Sequence, residues 1–203
     1  MHVGGSRASL SHSLLTLVVL AASPALSYAQ GHDGHAPGTV AQAHTPTREE
    51  SAVIKAVQDA TARFKNVTSV DGPGEGYALN FGCVSGGDFG AMGMHFVNTG
   101  LIGDLEVDPT NPEIVIYEPQ ADGSLRLIGA DFLIFADAWD QAHPDGATPQ
   151  LMGQLFHRFE APNRFGLPSF YTLHVWAWKT NPTGTYTNWH SGVSCDAFGG
   201  ERP

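Results

Sequence analysis

Three histidines, His95, His157 and His174, fall in stretches that read as β-strands, and imidazole is the commonest protein ligand for transition metals near neutral pH. Neighbouring strands of an antiparallel sheet bring side chains together across one face, so imidazoles from three strands can converge on one ion. Three neutral imidazoles, completed by water or a carboxylate, suit Zn, Cu, Fe or Ni. Two carboxylates are placed to complete such a shell: Glu118, at a strand end beside Pro119, and Asp131, inside the apolar run LRLIGADFLIF. Asp131 is the more pointed, because a carboxylate in such a run is costly to bury without a partner. The competing reading is structural, since isolated strand histidines commonly bond a backbone carbonyl or a carboxylate and bind nothing. None of the three has the HxH or HExxH spacing that marks a metal site on its own.

His174 belongs to the run FYTLHVWAWKTN, 170–181. Period two puts Phe170, Thr172, His174, Trp176 and Trp178 on one face and Tyr171, Leu173, Val175 and Ala177 on the other. Both faces are largely apolar, so this strand is expected to be central and covered. Trp176 and Trp178 then offer an aromatic wall for a small ligand, or serve simply as core.

Other constellations are weaker. His32, His35 and His44 lie on a Gly/Ala/Pro/His-rich stretch, where they could scavenge Cu or Ni without preorganisation. Asp104, Glu106 and Asp108 alternate with apolar residues before Pro109, a pattern of a solvated loop or of a calcium site. There is no GxSxG, CxxC, P-loop or dinucleotide fingerprint.

The elements that must position these residues begin after residue 46. Residues 1–29 read as a signal peptide: Arg7, the apolar core LLTLVVLAA and a Ser27-Tyr28-Ala29 cleavage site, the core being too short to span a bilayer. Residues 30–46 read as a disordered linker, and residues 47–203 as one globular domain. Thr47 and Glu50 have capping-box spacing, and Val53, Val57, Ala60 and Phe64 form one apolar stripe, which predicts a helix through Lys65. The glycine-rich stretch 70–90 reads as an ordered loop. Strands are expected over 92–98, 113–117, 125–135, 151–160 and 169–179, with a helical turn over 136–142 and an Asp122-Gly123 connection between the second and third strands. The fold class is α+β: an N-terminal helix packed on a mostly antiparallel sheet of about five strands, a barrel or half-barrel being one form it can take.

The two cysteines, Cys83 and Cys195, suit a disulfide in an oxidising compartment. A loop of that length is worth roughly 4–5 kcal/mol when closed, and it ties the start of the domain to its end. Ten basic against twenty acidic side chains give a net charge of −10, which disfavours nucleic acid and anionic membrane surfaces as partners. An exported protein, periplasmic or extracellular, is expected.

The segments MGMHFVN, DP-x-x-PE-x-x-x-YEP (108–119), DG-x-LRL-x-G, GQ-x-FH (153–157), LHVWAWKTNPTG (173–184) and the later VSC together resemble a family of exported bacterial proteins that carries no established activity. The likeness covers nearly all of the domain and points again to His95, His157 and His174. The family's W-N-P-x-V-S-C ending stands here as Trp189-His190-Ser191-Gly192-Val193-Ser194-Cys195, and its frequent Glu is here Ala130. Three functional classes follow. The leading one is an exported protein binding a transition metal or small ligand in a histidine and aromatic pocket. The second is a metal-dependent hydrolase or oxygenase with Asp131 or Glu118 as base. The third is a structural protein whose histidines are all core.

Overall fold

The computed structural model describes residues 43–200. The expected leader (1–29) and most of the linker, with His32 and His35, lie outside the described residues. Its last four residues, 43–46, are described, and His44 there makes defined contacts. The His44 amide donates to the Pro182 carbonyl at 2.9 Å, and its Nε2 lies 3.1 Å from both oxygens of Glu50.

Helix α1 (Arg48–Thr61) starts where capping predicts: Thr47 Oγ1 accepts the Glu50 amide and the Glu50 carboxylate accepts the Thr47 amide. Val53 and Val57 are buried, and the helix tightens into a 3-10 turn, Ala62–Lys65, that buries Phe64. Val53 and Val57 join one core cluster and Phe64 the other, so the stripe feeds both.

The main sheet has six strands: β1 (Ala78–Ser85), β2 (Ala91–Val97), β3 (Ile114–Pro119), β4 (Leu125–Phe135), β7 (His157–Phe159) and β8 (Phe170–Val175). Their order is β1-β2-β3-β4-β8-β7, every pair antiparallel. The sheet is open, not closed into a barrel. A short helix α2 (Thr99–Ile102) follows β2, and α3 (Ala136–Ala142) follows β4 where a helical turn was expected.

Two expectations are corrected. The stretch 70–90 contains β1, an edge strand whose first half is exposed and whose register on β2 is broken by bulges, so no alternation marks it. The single strand over 151–160 is three pieces. Met152 and Gly153 both adopt positive φ and form a two-residue turn between β5 (Gln150–Leu151) and β6 (Gln154–Leu155), leaving only β7 in the main sheet.

The two faces of the sheet have different jobs. Ala130, Phe132, Ile134, Tyr171, Leu173 and Val175 pack with Val53 and Val57 of α1. The opposite face of the same strands presents Asp131, Leu133, Thr172 and His174. Cys83 of β1 and Cys195 form the expected disulfide, with Cα atoms 5.5 Å apart and a sequence separation of 112. Beside it, Gly90 adopts φ +91, and a Cβ there would sit 2.1 Å from the His190 carbonyl, so only glycine lets this segment pair with Ala91.

Candidate metal centre

Asp131 and His174 are direct register partners across β4 and β8, and Ile114 of β3 is the partner of Asp131 on its other side. His95 on β2 reaches the same place from beyond β3, which requires the sheet to coil on this face. His95, Asp131 and His174 each place one ligand atom within 4.8 Å of the others, and all three residues are buried. Two atoms bound to one zinc are at most about 4.2 Å apart, twice the ~2.1 Å bond. In a tetrahedral shell they lie about 3.4 Å apart, so the three groups must draw in to close around an ion.

Hydrogen bonding separates the buried histidines by role. His190 uses both ring nitrogens: Nε2 donates to the Thr180 carbonyl at 3.0 Å, and Nδ1 accepts the Gly192 amide at 2.9 Å. It is a structural residue. His95 uses one, Nδ1, which lies 3.0 Å from the Gly93 carbonyl. A carbonyl only accepts, so Nδ1 carries the proton and Nε2 keeps a free lone pair, the orientation that metal-ligating histidines adopt. Gly93 can offer that carbonyl because it has φ +106, and a Cβ there would meet the Tyr117 carbonyl at 2.5 Å.

His174 uses neither nitrogen. It is fully buried, both nitrogens lack a hydrogen-bond partner, and Asp131 Oδ2 lies 3.9 Å from Nδ1. An unsatisfied buried polar atom costs about 1–3 kcal/mol. Its ring is tilted against Trp176 at 4.4 Å between centroids. Asp131 accepts a short hydrogen bond from the Thr172 hydroxyl, which fixes one carboxylate oxygen.

Burial dominates the electrostatics. It pulls His95 down to about 4, against a smaller opposing effect of the Gly93 carbonyl. Burial likewise holds His174 well below the usual imidazole range, aided by His95 and His190. Both imidazoles are thus neutral, as ligation requires. Burial pushes Asp131 up to about 7, with the Thr172 hydroxyl and the Phe132 and Leu173 amides drawing it back. Near pH 7 Asp131 is about half protonated while both imidazoles are neutral, so the proton that a cation would displace sits on the carboxylate.

The remaining sequence candidates lie elsewhere. His157 sits exposed on edge strand β7, paired with Thr172 but outside the cluster. Glu118 is bound by Lys179 Nζ at 2.8 and 3.0 Å and by the Arg126 guanidinium, and takes no part in the cluster. Trp176 is core, its Nε1 donating to the Thr187 carbonyl at 2.6 Å. Trp178 donates to Thr61 Oγ1 at 2.9 Å and lies under Lys65 Nζ at 3.8 Å. Asp104 and Asp108 accept bonds from their own turns, Glu106 N and Thr110 N respectively.

A cavity of about 280 Å³ adjoins the cluster, with His95, Asp131 and Thr172 in its wall. Its other surfaces are mainly apolar, among them Phe81, Met92, Leu133, Phe159, Phe165 and Trp189. Sequence reasoning missed this wall, because it comes from β1 and the 159–170 connection rather than from the tryptophans on the His174 strand. Thr172 was legible: two residues before His174, it had to share its face.

Comparison with protein-family models, with curated proteins and with solved structures finds no match to this chain.

Proposed function

We propose that this is an exported protein that binds one divalent transition metal ion through His95 Nε2, Asp131 and His174, at the wall of an apolar pocket. The observation that carries the reading is His174: an imidazole with no exposure and no partner for either nitrogen, opposite a buried carboxylate and a second imidazole. A structural histidine in the same protein, His190, satisfies both nitrogens. Binding a cation would satisfy a His174 nitrogen and draw the proton from Asp131, relieving two burial costs together. The disulfide, and the absence of a membrane-length apolar helix among the described residues, are compatible with export.

Two histidines and one carboxylate are a donor set suited to iron(II) or zinc, and three protein ligands leave coordination positions for a small molecule. That favours a centre that binds or transforms a ligand over a closed structural site. Among the described residues lining the pocket, Asp131 is the one carboxylate, so a hydrolase with a separate carboxylate base is disfavoured. Glu118 cannot fill that role while Lys179 and Arg126 hold it away from the cluster.

The test is metal stoichiometry on protein purified without a histidine tag, loaded separately with Zn, Fe, Cu and Ni and freed of excess ion. One ion per chain is expected, lost in His174→Ala and Asp131→Asn and kept in His157→Ala. No stoichiometric binding of any of the four overturns the reading.

A further inference from the structure

We infer that the pocket takes an apolar monocarboxylate about the size of two fused aromatic rings, with its carboxylate directed at the metal. This rests on the metal reading above and adds the class of ligand. His95 and Asp131 stand both in the cluster and in the cavity wall, so a molecule filling the cavity touches the centre.

Size and polarity narrow the body of the ligand. The cavity measures about 280 Å³. A cavity of about 150 Å³ lined by aliphatic and aromatic side chains takes benzene, so this one has room for roughly twice that. Phe81 and Phe165 meet edge to face at 5.6 Å, and Phe159 stacks on Phe170 at 5.3 Å, which gives the cavity flat walls. Rings of this kind favour a planar apolar body over a sugar or peptide, whose many hydroxyls and amides would lose water for few partners, Asn163, Arg164 and Asn188 among them.

Charge narrows the head. A divalent ion held by two neutral imidazoles and one carboxylate leaves one net positive charge in a site shielded from water. In a medium of low dielectric that charge is costly unless balanced nearby. A monoanion neutralises it. A neutral ligand leaves it standing, and a dianion must set its second carboxylate against a mainly apolar wall in which Arg164 is the one cation among the described lining residues.

The test uses the full chain loaded with Zn, and naphthoate as the probe, by calorimetry. Naphthoate should bind the Zn-loaded protein at least about tenfold more tightly than the Zn-free protein, as a charge-assisted contact predicts. Naphthalenemethanol, the same body without the charge, should show no such gain, and succinate should not compete. Phe165→Ala, on a connection rather than a strand, should weaken naphthoate several-fold by removing a wall. If Zn loads at one ion per chain but naphthoate binds no better than without it, or succinate competes equally, the ligand assignment is wrong and the metal reading stands. If none of Zn, Fe, Cu and Ni loads, both fail.

Discussion

Asp131 Oδ2 and His174 Nδ1 lie 3.9 Å apart on directly paired residues, both side chains buried, too far for a hydrogen bond and close enough to share an ion. A neutral apo pair of this kind is a net cost to the fold. Replacing His174 by Leu, of similar volume, should therefore stabilise the metal-free protein by about 1–3 kcal/mol, because two unsatisfied polar atoms leave the core. With Zn at about 100 times its Kd, wild type gains about 2.7 kcal/mol by linkage and the variant gains nothing. Urea titrations with and without Zn read both effects. A metal-free His174→Leu less stable than wild type would show that the imidazole makes contacts worth more than they cost.

Metal affinity should follow pH with the signature of a carboxylate. His95, at about 4, and His174, well below its usual value, are neutral between pH 5 and 7, whereas Asp131, at about 7, carries a proton over most of that range. Binding then releases about one proton, and Kd should weaken about tenfold per pH unit below 7. Two imidazoles of ordinary pKa would give a steeper slope near pH 6. In the metal-free protein the sign for stability is opposite. Asp131's folded pKa is raised above 3.8, so its contribution is fully present at acid pH and lost as pH rises through about 7. Calorimetry in buffers of different ionisation enthalpy counts the protons, and a count near two would refute the carboxylate assignment.

The sequence was informative where one local pattern decides the outcome. Thr47 and Glu50 cap a helix by spacing alone, and β4 runs Leu125–Phe135 as its apolar run predicts. The alternation of 170–178 placed His174 and Thr172 on one face, where both are found beside Asp131. What stayed hidden is set by register between distant strands. His95, His157 and His174 looked alike on their strands, but β7 is three residues long at the sheet edge, which leaves His157 in solvent. No residue near His157 records that edge position. β1 was invisible for a related reason: bulged, half-exposed edge strands lose the alternation that identifies a strand.

The disulfide should matter more for stability than for the metal. With a sequence separation of 112 between Cys83 and Cys195, the chain-entropy account gives about 4–5 kcal/mol. Cys83→Ser/Cys195→Ser should lose that much in urea, as should the reduced wild type. Of the three candidate ligands only His95 lies near the bond, next to Met94, the register partner of Cys83, while Asp131 and His174 sit on the paired strands β4 and β8. Under conditions where the variant remains folded, Zn stoichiometry should stay at one. Loss of metal with the far-ultraviolet spectrum intact would place the cysteines in the site's support.

Glu118 tests the difference between a ligand and a brace. Burial raises its pKa, but hydrogen bonds and charge from Lys179 and Arg126 outweigh burial and hold it below the usual 4.5. Lys179 Nζ also donates to the Gly192 carbonyl, so the carboxylate links β3 to the segment after β8 and, through that lysine, to the approach to Cys195. Glu118→Gln keeps the shape and removes the charge, and should cost about 1–3 kcal/mol at pH 7, between the values for exposed and fully buried pairs. A depressed carboxylate contributes above its unfolded pKa and loses that contribution as pH falls through 4.5 and below. The difference between wild type and variant should therefore shrink in acid. Zn stoichiometry should not change, because Glu118 stands outside the cluster of His95, Asp131 and His174. A Glu118→Gln protein that is stable but cannot hold Zn would move the centre to the other side of the sheet's end and undo the assignment of Asp131.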